Sequence, residues 1–239
     1  CRRLFNAQPD QFTARMNHFI EQQDIVLITA GLQWMQDTES PCSVQEMKSI
    51  YSQLSSAHQI MLLTSLQEID NDIYLPVAMK ALDSQHNSVR NVAFAAIVEL
   101  GNASIVDELV NRPWSTRSDL EAVLHTLSYL PSSQTGHAII QAMDSASPRS
   151  LSLLLTALGN RGMQGQDSLL LTFLDQNNKR IQRDAWIALG KTADDSSLPQ
   201  IIKTYLKLTP ETAHADYIQN AIVQIIQSAP ESNNTSDVI

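Results

Sequence analysis

Every thirty-first residue counted from Met16 is apolar: Met16, Met47, Ala78, Leu109, Ile140, Leu171 and Ile202. A second set at the same spacing, Gly31, Leu62, Ala93, Leu124, Leu155, Trp186 and Tyr217, carries no charge. A third set, Ile28, Gln59, Arg90, Glu121, Ser152, Arg183 and His214, is mostly polar. A period of about 31 residues that separates inside from outside means that one supersecondary unit is repeated along the chain and stacked on itself. Direct comparison agrees. MLLTSL, Met61 to Leu66, aligns with LLLTAL, Leu153 to Leu158, at an offset of 92 residues. That offset is one residue short of three periods, so one connection between the two segments is shorter than its counterparts.

Within each unit apolar residues recur at three and four, the helical spacing. Val92, Ala93, Ala96, Ile97 and Leu100 form one stripe, and Leu120, Val123, Leu124, Leu127 and Leu130 form another. Ser43 with Glu46, and Ser118 with Glu121, fit capping boxes that satisfy free amides at a helix start, and Thr209-Pro210 fits an N-cap followed by proline. The spacing predicts helix pairs near 10–22/24–37, 43–55/57–69, 72–83/87–100, 103–112/118–130, 134–144/148–160, 165–175/179–191 and 197–208/211–227. The expected fold is therefore all-α, an α-α superhelix of about seven helix pairs with a right-handed turn. One repeat domain is expected over 1–230, with polar outer faces on 10–22 and 211–227 capping the stack. Residues 231–239 (ESNNTSDVI) carry no periodic apolar pattern and read as a polar tail or linker.

Seven glycines in 239 residues are too few for a sheet-rich fold full of tight turns. The net charge of −9 repels a phosphate backbone, so no nucleic-acid partner is expected. A local basic run through Arg161, Lys179, Arg180 and Arg183 reads as a solvated helix end. No apolar run reaches the roughly 18 residues of a membrane span. Cys1 and Cys42 have neither metal-site nor redox-pair spacing. Cys1 has two readings, the lipid-carrying cysteine of a processed bacterial lipoprotein or the point where a trimmed chain begins. Arg2 and Arg3 slightly favour the second, since they would also suit the flank of a removed membrane segment. A processed Cys1 would place the chain in the bacterial cell envelope; otherwise it would be cytoplasmic.

The segment from Leu174 to Ile202, LDQNNKRIQRDAWIALGKTADDSSLPQII, resembles a short bacterial HEAT repeat. It has the leucine and aspartate, the basic-rich helix start, the small residues with Ala-Leu-Gly, the polar turn and the Leu-Pro opening of the next unit. Leu82 to Val110 matches more loosely, with Asp83, Val89-Arg90, Ala93, Ala96 and Gly101. Proline near a helix start occurs at Pro76 and Pro199 but not in every unit, which leaves other helical-repeat families open. The resemblance implies an α-solenoid that acts as a binding surface or scaffold. The tandem arrangement is also similar to helical segments beside sugar-processing domains of bacterial envelope proteins, and some HEAT-like arrays are chromophore lyases or DNA glycosylases.

Residues with catalytic spacing are not found. No two of the six histidines lie three or four apart, and glycine phosphate loops, GxSxG elbows and paired-carboxylate motifs are missing. Cys42, after Pro41, reads as a structural thiol, Asp194-Asp195 as turn residues, and Glu121 with His125 as an ordinary pair along one helix face. Trp34, Trp186 and Tyr217 read as core. Trp114, after Pro113 in a connection, is not required by the period to be buried; it reads first as packing against its own loop, with a partner anchor as the alternative. The expected function is a non-catalytic protein-protein interaction module or scaffold with no cofactor or metal. Arg90, Glu121 and Arg183, taken as one column along the stack, and Trp114 are the candidate partner contacts. The alternatives are a helical-repeat domain of a larger envelope enzyme acting on carbohydrate, or a chromophore lyase. Far-ultraviolet circular dichroism should show helix, with a strand content below about a tenth; a larger strand signal contradicts the architecture.

Overall fold

The computed structural model describes residues 11–35, 42–69, 72–131, 133–208 and 216–228. Cys1, the Thr209-Pro210 cap, His214 and the 231–239 tail lie outside them. Every regular element among the described residues is a helix, and they include no strand. The chain divides into two compact units, Cys1–Thr135 and Gly136–Ile239.

The first unit holds α1 (Phe12–Glu21), α2 (Ile25–Met35), α3 (Val44–Gln53), α4 (Ser56–Ile69), α5 (Leu75–Ala81), α6 (Asn87–Leu100), α7 (Val106–Asn111) and α8 (Arg117–Tyr129). Its helices pack in two rows. In one, α1 lies on α3 and α3 on α5; in the other, α2 lies on α4, α4 on α6 and α6 on α8. The rows are tied by the packing of α1 on α2, α5 on α6 and α7 on α8. Local chemistry sets the helix starts. Ser43 and Glu46 form the expected capping box at α3, with Glu46 N–H on Ser43 Oγ and Ser43 N–H on Glu46 Oε2 at 2.9 Å. The second expected box is absent. Helix α8 starts earlier, capped by Thr116, whose Oγ1 accepts from Asp119 N–H at 3.0 Å, and Glu121 instead pairs with Arg117.

The second unit holds α9 (Thr135–Met143), α10 (Pro148–Asn160), α11 (Asp167–Leu174), α12 (Lys179–Thr192), α13 (Leu198–Tyr205) and α14 (Asp216–Ser228), with the first residue of α9 at the division. Helix α10 packs on α12, α12 on α14, and α11 on α12. The three longer helices approach closely because glycine faces alanine at each crossing. A Cβ placed on Gly159 would lie 3.0 Å from Ala188 Cα, and one on Gly190 would lie 2.7 Å from Ala221 Cα. Small residues at these points let backbones meet and side chains above and below interlock.

The core shows where the repeat loses its residue. Met16, Met47, Ala78 and Leu109 are buried as expected, but the inward positions that follow are Ile139, Leu170 and Ile201. Ile140 and Leu171 are half-buried and Ile202 is exposed, so each is one residue off the inward line. In the second row the buried line runs Leu62, Ala93, Val123, Leu154, Ala185, and Tyr217 is half-buried. Fourteen residues separate Leu109 from Val123, whereas fifteen separate Ala78 from Ala93 and Ile139 from Leu154. The shortened connection is therefore the α7–α8 turn. Leu155 and Trp186 remain buried beside the corrected line, because a helix buries two adjacent positions per turn when it is packed on two sides.

One further expectation fails. Ser152, read as a surface position, is 3% exposed, and its hydroxyl bonds to the buried Asp184 carboxylate of the neighbouring helix. The exposed residues of α14 are mostly polar, Gln219, Asn220, Gln224 and Gln227 among them, with Val223 and Ile226 exposed between them. Leu155→Ala should cost about 2–5 kcal/mol, the usual range for a buried leucine truncation. Ser152→Ala should cost about 1–3 kcal/mol, since it strips a hydrogen bond from a buried carboxylate. Urea denaturation of both variants checks this, and a neutral Ser152→Ala would contradict the buried pair.

Candidate functional site

Two of the four sequence-derived contact residues converge in the first unit, in a cleft of about 500 Å³ between the α5–α6 and α7–α8 turns. Its lining includes Asp83, Asn87, Arg90, Arg112, Trp114 and Asp119. Arg90 is mostly buried and fully engaged. Its Nε and Nη2 donate to the two Asp119 carboxylate oxygens at 2.9 and 3.2 Å, Nη1 to Ser84 O at 2.9 Å and Nη2 to Asn87 Oδ1 at 2.5 Å. Arg112 donates to Asp83 at 2.6 Å, to Glu108 at 2.7 Å and to Met79 O at 3.3 Å. Cations and carboxylates in this cleft are spent on each other. They lace successive turns together, and neither sign is left over to select a charged ligand.

Trp114 is 8% exposed. Its indole N–H donates to Leu109 O at 2.7 Å and its ring sits 5.3 Å from that of Phe94. The tryptophan closes the shortened turn and offers no exposed anchor. The column expected to join Arg90, Glu121 and Arg183 is broken by the same missing residue. Arg90 lies inside the turn network, whereas Glu121 and Arg183 project outward from α8 and α12, in different units.

Tyr129 is 64% exposed at the end of α8. Its ring lies 4.6 Å from the His125 ring, which holds it against the helix. Arg117, Glu121, His125 and Tyr129 follow one another at four residues, forming one outward ridge opposite the buried Val123, Leu127 and Leu130. Glu121 is occupied with Arg117 at 2.8 Å, so the expected Glu121–His125 pairing is replaced by an ion pair behind and an aromatic contact ahead. The neighbouring helices present Asn91, Ala95 and Glu99 on α6, and Thr64 and Glu68 on α4, all exposed. Glu68, Glu99 and Glu121 make this face acidic. The i, i+4 series Arg117, Glu121, His125, Tyr129 is the trace of this ridge in the sequence, and all of it but Glu121 lies outside the three columns of the 31-residue period.

Other chemistry-bearing groups are structural. Burial pushes the Cys42 thiol up to about 12, which keeps it protonated and poorly nucleophilic at neutral pH. Asp194 Oδ1 accepts from Ser196 N–H at 3.0 Å, as a turn residue does. Among the described residues no group of three or more His, Cys, Asp or Glu is placed to hold a metal ion. Among the same residues no helix is long and apolar enough to cross a membrane. No protein-family model matches the chain, and no curated protein matches it either.

Burial by itself would raise the Asp119 carboxyl, but hydrogen bonds from Arg90 and Thr116 outweigh it and hold the group below its ordinary value of 3.8. A depressed carboxyl stabilises the fold above its ordinary value, and that contribution disappears as pH falls through the lower folded value. Arg90→Ala should cost about 3–5 kcal/mol at neutral pH, the range for breaking one side of a buried ion pair. Denaturant midpoints at pH 6 and pH 3 should also converge in the variant relative to the native chain. An unchanged pH slope would show that the pair does not carry the effect.

Proposed function

We propose that the chain is a non-catalytic protein-protein interaction module, a HEAT-like superhelix whose outward second-row helices carry the contacts. The observation that carries this reading is Tyr129. It is a large aromatic held in a fixed pose by His125, more than half exposed, on a face built from three consecutive second-row helices. Buried aromatic anchors dominate the energy of most protein interfaces, and tyrosine loses little conformational freedom when it binds. The two-row packing inside each unit and the period of about 31 residues support the solenoid form of the module.

The chemistry of the face indicates the partner. Glu68 and Glu99 carry the charge of this face, since Glu121 is paired with Arg117, so the preferred surface is basic or neutral with a pocket for the tyrosine ring. Nucleic acid is disfavoured there for the same reason. Arg90 and Trp114 contribute by holding the α7–α8 turn, which sets where α8 points, and do not meet the partner themselves.

Cross-linking and affinity capture with the purified chain tests the face. Tyr129→Ala should reduce capture by about tenfold or more, the range of an interface hot spot, with the helical dichroism unchanged. Glu99→Lys with Glu121→Lys should weaken it further and remove its salt dependence. Undiminished capture by both folded variants would remove this face as the site. Turnover of a small substrate that survives repurification and is lost on a point substitution would overturn the non-catalytic reading.

A further inference from the structure

Helix α12 carries Lys179, Arg180, Arg183 and Lys191, against a single carboxylate, Asp184, which is buried. Arg180, Arg183, Ile187 and Lys191 fall at spacings of three and four, so they make one stripe along the outward face for nearly the whole helix. Asp184 offsets one of these four charges and no more. Its Oδ2 accepts from Ser152, and it pairs at long range with Arg180 and Arg183, at 3.9 and 3.8 Å, while their side chains stay 69% and 59% exposed. Arg180 spends only its Nε, on Ser152 Oγ of α10 at 3.0 Å, which draws the stripe toward α10 and the exposed Arg149. Lys191 reaches Asn160 of α10 at 2.8 Å. The carboxylates in the flanking turns, Asp144 and Asp175, form no ion pair with these cations among the described residues. In the sequence, Arg183 and Lys191 lie two periods after Glu121 and Tyr129.

Like charges at such spacings destabilise a helix, and Lys179 and Arg180 also lie at the end where the helix dipole disfavours cations. Local rules are broken in this way where a surface serves a purpose other than folding. We propose that the outward face of α12, with Arg149 beside it, docks an acidic, carboxylate-rich segment of a partner protein. Three of the cations are arginines, whose planar forks match carboxylates in pairs. The stripe from Arg180 to Lys191 is about 16 Å long at 1.5 Å per residue, the length of about five extended residues. A short acidic segment meets only this stripe. A long polyanion would also meet the acidic remainder of a chain with net charge −9. This surface lies in the other unit from Tyr129, and its test is independent of that face.

The probe is a fluorescein-labelled dodecapeptide alternating Glu or Asp with Gly or Ser, titrated with the full chain and followed by anisotropy at 50 and 300 mM NaCl. The native chain should bind, with affinity falling several-fold at the higher salt. Arg183→Glu with Lys191→Glu, folded by dichroism, should bind at least about tenfold more weakly, whereas Tyr129→Ala should bind as the native chain does. No binding, or equal binding by the charge-reversed variant, overturns the proposal. A twelve-residue oligothymidylate that binds more than tenfold tighter at the same residues overturns it in favour of phosphate. Sedimentation showing self-association abolished by the same reversal overturns it in favour of a second copy as the acidic partner. Failure here leaves capture through Tyr129 unaffected, so the two surfaces are judged separately.

Discussion

A second-row helix has to satisfy three neighbours at once, the first helix of its own pair and the second-row helix on either side. In the second unit α12 meets its two second-row neighbours with opposite sides of one helix. Gly190 receives Ala221 on one flank and Ala188 enters Gly159 on the other, while Ala185 and Leu189 are fully buried. Close packing of this kind fixes the distance between successive helices, and that distance determines which side chains reach the surface as a shared face. A larger residue at either glycine would push the helices apart and separate the surface rows with them.

The polar interior follows from the same stacking. Turns that succeed one another every repeat bring their backbone carbonyls and acidic residues into register, and these groups need partners once water is excluded. Arg90 and Asp119 supply one solution, and Ser152 with Asp184 and Arg180 supply another. Both link residues about one repeat apart. Such buried pairs add modestly to stability and strongly penalise any other register, since a slip of one residue would strand a charge. Asp167 shows the cost directly: its Oδ2 accepts from Ser197, while the buried Oδ1 has no hydrogen-bond partner among the described residues.

The exposed faces are what remains after these demands are met. In the first unit the remaining outer row is acidic with one exposed aromatic, and in the second it is basic. A repeat architecture makes that contrast easy to build, because outward positions on each second-row helix carry no packing constraint and can differ from unit to unit. The same freedom explains the lack of recognisable short motifs. A face drawn from several helices has no common local spacing, so no contiguous pattern announces it.

The sequence by itself determined the helical class, the repeat length and most of the core, because burial in stacked helices demands apolar residues at regular intervals and leaves a periodic trace. It also carried the missing residue, in the offset between Met61–Leu66 and Leu153–Leu158, and the capping box at Ser43, which rests on contacts only three residues apart. Tertiary structure decided where that residue is missing, and with it the side of the helix on which every later position falls. At about 100° per residue, a single deletion in the α7–α8 turn moved Ile202 out of the core and left Val123 rather than Leu124 fully buried. It decided, too, that Ser152 is buried and that Arg90 and Trp114 are engaged within their turns. Each of those outcomes depends on a neighbour about a repeat away or on the path of a connection, and neither is written in the local spacing of the chain.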